Sequence, residues 1–113
     1  MKRIEAIIRP ENLAPLRQQL ETLSYPGMTV IQVEGHGRQK GVSRQWRGME
    51  YRTYFLPKLK VEIVAPDKAV RKILDAIVDT CHSGSVGDGK IFLSDVRDAI
   101  RIRTREKGDK ALL

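Results

Sequence analysis

Apolar and polar positions along the chain change their period several times, and each change marks an element. From Arg3 to Arg9 the residues are mostly apolar and predict a strand, closed by Pro10, which favours extended backbone before it. Leu13, Leu16, Leu20 and Leu23 then recur at helical spacing, with Asn12 placed to cap the helix and Pro15 tolerable in its first turn. Tyr25-Pro26-Gly27 ends that helix in a turn. Met28 to Glu34 is rich in β-branched residues and predicts a second strand, after which Gly35, Gly37 and Gly41 break regular structure. Leu59, Val61 and Ile63 alternate with Lys60 and Glu62, predicting a strand with one core face. Between these two strands about twenty residues show no clear periodicity, and a loop of that length in a compact domain is usually functional or disordered.

Pro66-Asp67 opens the clearest helix, with Val70, Ile73, Leu74, Ile77, Val78 and Cys81 on one face, so Cys81 reads as a core residue. Ser83-Gly84 ends it, Gly87-Asp88-Gly89 forms a tight loop, and Ile91 to Val96 returns as a strand. Ile100 and Ile102 alternate with Arg101 and Arg103, predicting a last short strand. The order is two βαβ-like halves in one α+β domain over residues 1–113. Such halves pack as a ferredoxin-like βαββαβ sandwich, here with a short extra C-terminal strand and both helices on one face of the sheet. The other face needs a cover, most simply identical subunits, so a homo-oligomer is expected.

Composition narrows the partners. No stretch approaches the roughly 18 apolar residues of a membrane span and the start MKRIEAII has no signal-peptide core, so the chain is expected to be soluble and intracellular. A single cysteine permits no intrachain disulfide. The formal charge of +7 asks for an anionic partner. It is concentrated at +6 between His36 and Lys60 and at +3 between Arg97 and Lys110, while the remaining residues carry −2. Two basic segments this far apart form one site only if the fold, or assembly, unites them.

The segment Gly84-Ser85-Val86-Gly87-Asp88-Gly89-Lys90 has the composition of an anion cradle, because glycines let backbone N–H groups approach closely and the lysine adds charge. It is not a P-loop: Ile91 replaces the Ser or Thr that would hold Mg²⁺, and a strand follows rather than a helix. Taken alone it reads equally well as a hairpin turn. Arg101 and Arg103 share one face of the last predicted strand, where they either fork onto one anion or protect a sheet edge by charge. Gly37-Arg38-Gln39-Lys40-Gly41 is a third basic, glycine-containing element. No Ser, His and acid arrangement and no zinc spacing is present, and His36 and His82 read as surface residues. Trp46, Tyr51 and Tyr54 in the basic loop keep a nucleic-acid-binding module open as an alternative, although aromatics are only 5% of the chain and no nucleic-acid motif appears. A small nucleotide-hydrolysing enzyme is the other alternative.

GHGRQKG at 35–41, RGMEYRTYFLPKLKVEIV at 47–64, SGSVGDGKIF at 83–92 and IRIRT at 100–104 together closely resemble the PII nitrogen-regulatory signal proteins, over nearly the whole chain. The resemblance implies a cytoplasmic, non-enzymatic homotrimer whose intersubunit clefts bind ATP or ADP competitively. Its protruding T-loop would span residues 37–55, its B-loop 83–90 and its C-terminal nucleotide-binding segment 101–105. It further implies that Gly37, Arg38, Gly87, Asp88, Gly89 and Lys90 form the phosphate cradle, joined by Arg101 and Arg103 of a neighbouring subunit. Gly27, Met28, Thr29, Glu62 and Val64 would line the adenine and ribose. With Mg²⁺ and ATP bound, 2-oxoglutarate would sit at the loop base against Gln39, Lys40, Gly41 and Lys58, Gln39 completing the metal's shell and Lys58 pairing with a carboxylate. Tyr51 matches a tyrosine that some members have uridylylated, and Met49 replaces a serine phosphorylated in others. Implied partners are target proteins such as an ammonium transporter, a nitrogen-assimilation enzyme or a regulator, with no nucleic acid and no membrane span. This chain departs from the common pattern at Ser85, where a charged residue is frequent, at Arg105, where glycine is frequent, and at Arg44 and Trp46, which make the loop bulkier and more basic.

Overall fold

The structure, a computed structural model, describes residues 1–37, 42–46, 49–53 and 55–113, with the backbone alone for 42–46 and 49–53. The predicted strand at the N-terminus is β1 (Lys2–Ile8), and its alternation is realised physically: Ile4, Ala6 and Ile8 are buried while the residues between them are not. A short 3-10 turn (Pro10–Asn12) leads into α1 (Leu13–Glu21), which buries Leu16 and Leu20. Asn12 occupies the capping position without a side-chain cap bond, and Pro15 falls in the first turn, where a missing N–H costs no helical hydrogen bond.

The second strand, β2 (Thr29–Gly35), pairs with the long central β5 (Leu56–Ala65) from Thr29 opposite Glu62 to Gly35 opposite Leu56. Between them the twenty residues without periodicity contain two further strands, β3 (Val42–Trp46) and β4 (Met49–Thr53), paired antiparallel in a separate two-stranded sheet. MEYRT alternates Met49, Tyr51 and Thr53 with Glu50 and Arg52, but each run is only five residues long and Arg44 breaks the apolar row of VSRQW, so no clear period emerges from the sequence. Then α2 (Asp67–Cys81) follows Pro66, with Asp67 favourably placed at the positive end of the helix dipole. It buries Ile73, Ile77 and Cys81, and burial pushes the Cys81 thiol pKa up. Val78, expected on the core face, lies at its margin and is 52% exposed. Last comes β6 (Lys90–Asp95), antiparallel to β1.

The main sheet runs β2-β5-β1-β6, all antiparallel, which is the ferredoxin-like order. One core lies between the sheet and both helices: Val61, Ile63 and Ala65 of β5 join the β1 residues against the helix residues. Each fully buried Ile or Leu contributes roughly 1.5–3 kcal/mol from apolar area removed from water. On the helix-free face Thr29, Ile31, Lys58, Lys60, Glu62, Val64, Ile7, Lys90 and Phe92 share one side by register, with Ile31 and Phe92 about half exposed.

The extra C-terminal strand is corrected. Ile100 makes one isolated bridge to Lys107, and residues 102–104 form a turn. The chain closes on itself: Arg101 N–H donates to the Glu106 carbonyl at 2.9 Å, Arg105 N–H to the Arg101 carbonyl at 2.7 Å, and Arg105 takes the left-handed conformation at φ 65°. Alternation marks extended backbone only where a neighbouring strand takes its hydrogen bonds, and here the returning segment takes them. A second 3-10 turn (Gly108–Leu112) follows.

Candidate functional site

The glycine loop between α2 and β6 is braced by side chains from outside it. The Asp88 carboxylate accepts from the Ser83 backbone N–H at 2.7 Å, from the Ser83 hydroxyl and from the Gly84 N–H at 2.9 Å. Arg9, at the end of β1, lies 3.3 Å from Asp88, donates to the Val86 carbonyl at 2.8 Å and reaches the Ser83 hydroxyl at 3.2 Å. The Ser83 hydroxyl bond, the two N–H bonds and the Arg9 charge together hold the Asp88 pKa at about 2. His82 Nδ1 is 3.9 Å from the same carboxylate and largely exposed. A carboxylate so engaged holds the loop's shape.

Glycine is required where this loop meets β1. Gly89 has φ 93°, and a Cβ there would lie 1.7 Å from the Ile7 carbonyl oxygen. Gly84 and Gly87 also adopt positive φ, at 85° and 105°. Lys58 of β5 reaches the loop from the other side, its Nζ donating to the Gly87 carbonyl at 2.9 Å. Burial first, and then the nearby Arg9 charge, push the Lys58 pKa down.

These residues form an open cleft of about 520 Å³ that collects Gly37, Lys58, Gly87, Asp88, Gly89 and Lys90 with Ile7, Gly35, His36, Ser85 and Phe92. It brings together Gly37, Lys58 and the glycine-loop residues singled out in the sequence, while Arg101 and Arg103 of the same chain do not line it. Arg38, Gln39, Lys40 and Gly41 lie outside the described part of the chain, and Tyr51 is described only by its backbone, opposite Arg44 in the β3–β4 pair.

The base-side residues gather elsewhere. Gly27, Met28, Thr29, Glu62 and Val64 line a second cleft of about 350 Å³ together with Pro26, Ala111 and Leu112. The two clefts share no lining residue. Gly27, at φ 107°, turns the chain into β2, and Glu62 and Val64 reach this cleft because they alternate with buried Val61 and Ile63. Arg101 belongs to this side: its guanidinium lies 3.4 Å from the carbonyls of Lys110 and Ala111 and 3.8 Å from Glu106. Arg103 is exposed in the adjoining turn.

Arg9, Ala111 and Leu112 escaped the sequence reading, and Ser83 entered it only as the helix end and the first residue of the loop. Arg9 lies 77 residues from Val86, so no local pattern links it to the loop. Among the described residues, no group of three or more His, Cys, Asp or Glu could hold a metal ion, and no helix is long and apolar enough to cross a membrane.

The chain is similar to known proteins over almost its full length. A family model described as nitrogen regulatory protein P-II matches residues 1–106. The chain is 50% identical over 112 residues to nitrogen regulatory protein P-II 1 of Escherichia coli K12, covering 99% of this chain and 100% of that protein. Over the same coverage it is 47% identical to nitrogen regulatory protein P-II of Haemophilus influenzae and 49% identical to that of Pasteurella multocida.

Proposed function

The chain belongs to the nitrogen regulatory protein P-II family, a family of regulatory signal proteins rather than enzymes, and on that premise we propose that it senses adenine nucleotide and 2-oxoglutarate and passes the result to target proteins. The observation that supports this reading is the division of the residues proposed for the nucleotide between two clefts with no common lining residue. One supplies cations and glycine N–H groups suited to phosphates; the other supplies Met28 and Val64 as apolar walls, with Glu62 and Thr29 as polar groups for a base and ribose. A single nucleotide uses both when the base-side cleft of one copy faces the phosphate-side cleft of another. That is the arrangement of a homotrimer with intersubunit sites, and it puts Arg101 and Arg103 across from the neighbour's glycine loop.

Several cations and N–H donors must converge on a triphosphate, since each charge-assisted bond adds only about 1.5–3 kcal/mol. Lys90, Gly87 and Gly89 of one copy and Arg101 and Arg103 of the next supply such a set, with Gly37 and Arg38 entering from the loop base. Asp88 serves this cradle through Ser83, Gly84 and Arg9. Gln39, Lys40, Gly41 and Lys58 would hold 2-oxoglutarate beside the nucleotide, Gln39 offering an amide oxygen to Mg²⁺, which would supply positive charge between phosphates and keto acid. Because the keto acid needs the metal nucleotide, occupancy reports both carbon supply and adenylate state. The segment 37–55 carries this to a partner such as an ammonium transporter, a nitrogen-assimilation enzyme or a regulator, in the cytoplasm, with Tyr51 as its uridylylation point.

The direct test is calorimetric titration of the protein with ATP and with ADP, accompanied by its native mass. One nucleotide per chain in a particle of three chains is expected. A particle of one chain that binds ATP at full affinity would overturn the shared cleft.

A further inference from the structure

The base-side cleft has a wall that none of the assigned residues provides. Ala111 and Leu112, from the 3-10 turn at the end of the chain, line it opposite Met28, Glu62 and Val64. That turn is strapped into place at several points. Gly108 N–H donates to the Ala99 carbonyl and to the Asp98 carboxylate, both at 3.0 Å, Ile100 bridges Lys107, and the Arg101 guanidinium spans the carbonyls of Lys110 and Ala111. Six backbone positions, Ala99, Ile100, Lys107, Gly108, Lys110 and Ala111, are thus tied together, which sets where the Leu112 side chain sits. Leu112 is half-buried, whereas Leu113 beside it is 82% exposed, so the strap directs one of the two leucines inward.

We propose that Ala111 and Leu112 form part of the nucleotide's base pocket, with Leu112 closing on the face of the base opposite Met28 and Val64. The proposal rests on the reading that this cleft takes the base. A purine offers two flat apolar faces and a polar rim, and Met28, Val64 and Leu112 supply apolar surface while Thr29 and Glu62 supply polar groups for the rim. Pro26, Gly27 and Ala111 complete the lining, and Leu112 is the larger of the two apolar side chains that the terminal segment contributes. Arg101 is the natural relay: the guanidinium that grips the strap belongs to the residue proposed to meet a neighbour's phosphates, so phosphate engagement and strap position are set by one side chain.

The test compares the full-length protein with Leu112→Ala and Leu112→Met by calorimetry with ATP and with ADP, and follows amide hydrogen exchange of residues 108–113 with and without saturating ATP. Leu112→Ala should weaken ATP and ADP by the same factor, about tenfold, because the two ligands share the base and differ only in phosphate. Leu112→Met should bind within about twofold of the wild type, since it keeps the side-chain volume. Thermal midpoints should agree among the three proteins, and ATP should slow exchange at Ala111 and Leu112. ATP binding by Leu112→Ala equal to wild type, or exchange in 108–113 indifferent to ATP, overturns the proposal while leaving the base-side assignment intact. Failure of the wild type to bind ATP removes that assignment and the proposal with it.

Discussion

Lys58 Nζ donates to the Gly87 carbonyl at 2.9 Å, joining the lysine proposed for 2-oxoglutarate directly to the loop proposed for phosphate. A ligand carboxylate that draws Lys58 away must compete with that bond, so each site feels the occupancy of the other. Lys58→Met keeps most of the stem and removes the charge. It is expected to abolish keto-acid binding and to weaken ATP by only a few-fold, through loss of one anchor on Gly87. Calorimetry with each ligand separates the two effects, and equal losses for both would mean that Lys58 supports the loop without contacting keto acid.

Asp88 gives the loop a sign-defined pH dependence. Its folded pKa of about 2 lies below the ordinary 3.8, so its contribution is present above about pH 4 and lost as pH falls through about 2. Thermal midpoints measured across that window should fall for the wild type and fall less for Asp88→Asn, which already lacks the charge at neutral pH. Parallel acid limbs for the two proteins would assign the titration to another group.

Gly89→Ala tests the contact between loop and sheet. A Cβ 1.7 Å from the Ile7 carbonyl cannot be relieved by a side-chain rotation, and the backbone there is at φ 93°. The expected loss is several kcal/mol of stability, or a displaced loop in a folded protein that no longer binds ATP. Denaturant unfolding with ATP titration reads both, and a variant normal in both would contradict the observed packing.

Arg105 holds a left-handed conformation that glycine accepts without cost. Arg105→Gly should therefore stabilise the protein by roughly 0.5–1 kcal/mol, seen as a thermal midpoint higher by a few degrees. A lower midpoint would mean that the guanidinium contributes more than the backbone conformation costs.

The sheet and its two helices were legible because alternation at Ile4, Ala6 and Ile8, and helical spacing at Ile73 and Ile77, both record one buried face. The glycine loop was legible as a tight turn, since Gly84, Gly87 and Gly89 all take positive φ, but its composition alone suits a hairpin as well as an anion cradle. What could not be read locally has too short a pattern or depends on distant partners. The β3–β4 ribbon comes from two five-residue runs, one of them broken by Arg44, Arg9 finds its loop across 77 residues, and the Ile100–Ile102 alternation gives way to a turn because residues 106–108 return to take its hydrogen bonds. Ala111 and Leu112 look like an unremarkable apolar terminus until the fold lays them beside Glu62 and Val64.

The central claim is that the keto acid is read through the metal nucleotide. Titrating 2-oxoglutarate into the protein with Mg²⁺ and ATP, with Mg²⁺ and ADP, and with no nucleotide tests it most directly. Saturable heat is expected only with Mg²⁺ and ATP. Equal binding of 2-oxoglutarate in the absence of nucleotide would contradict the account.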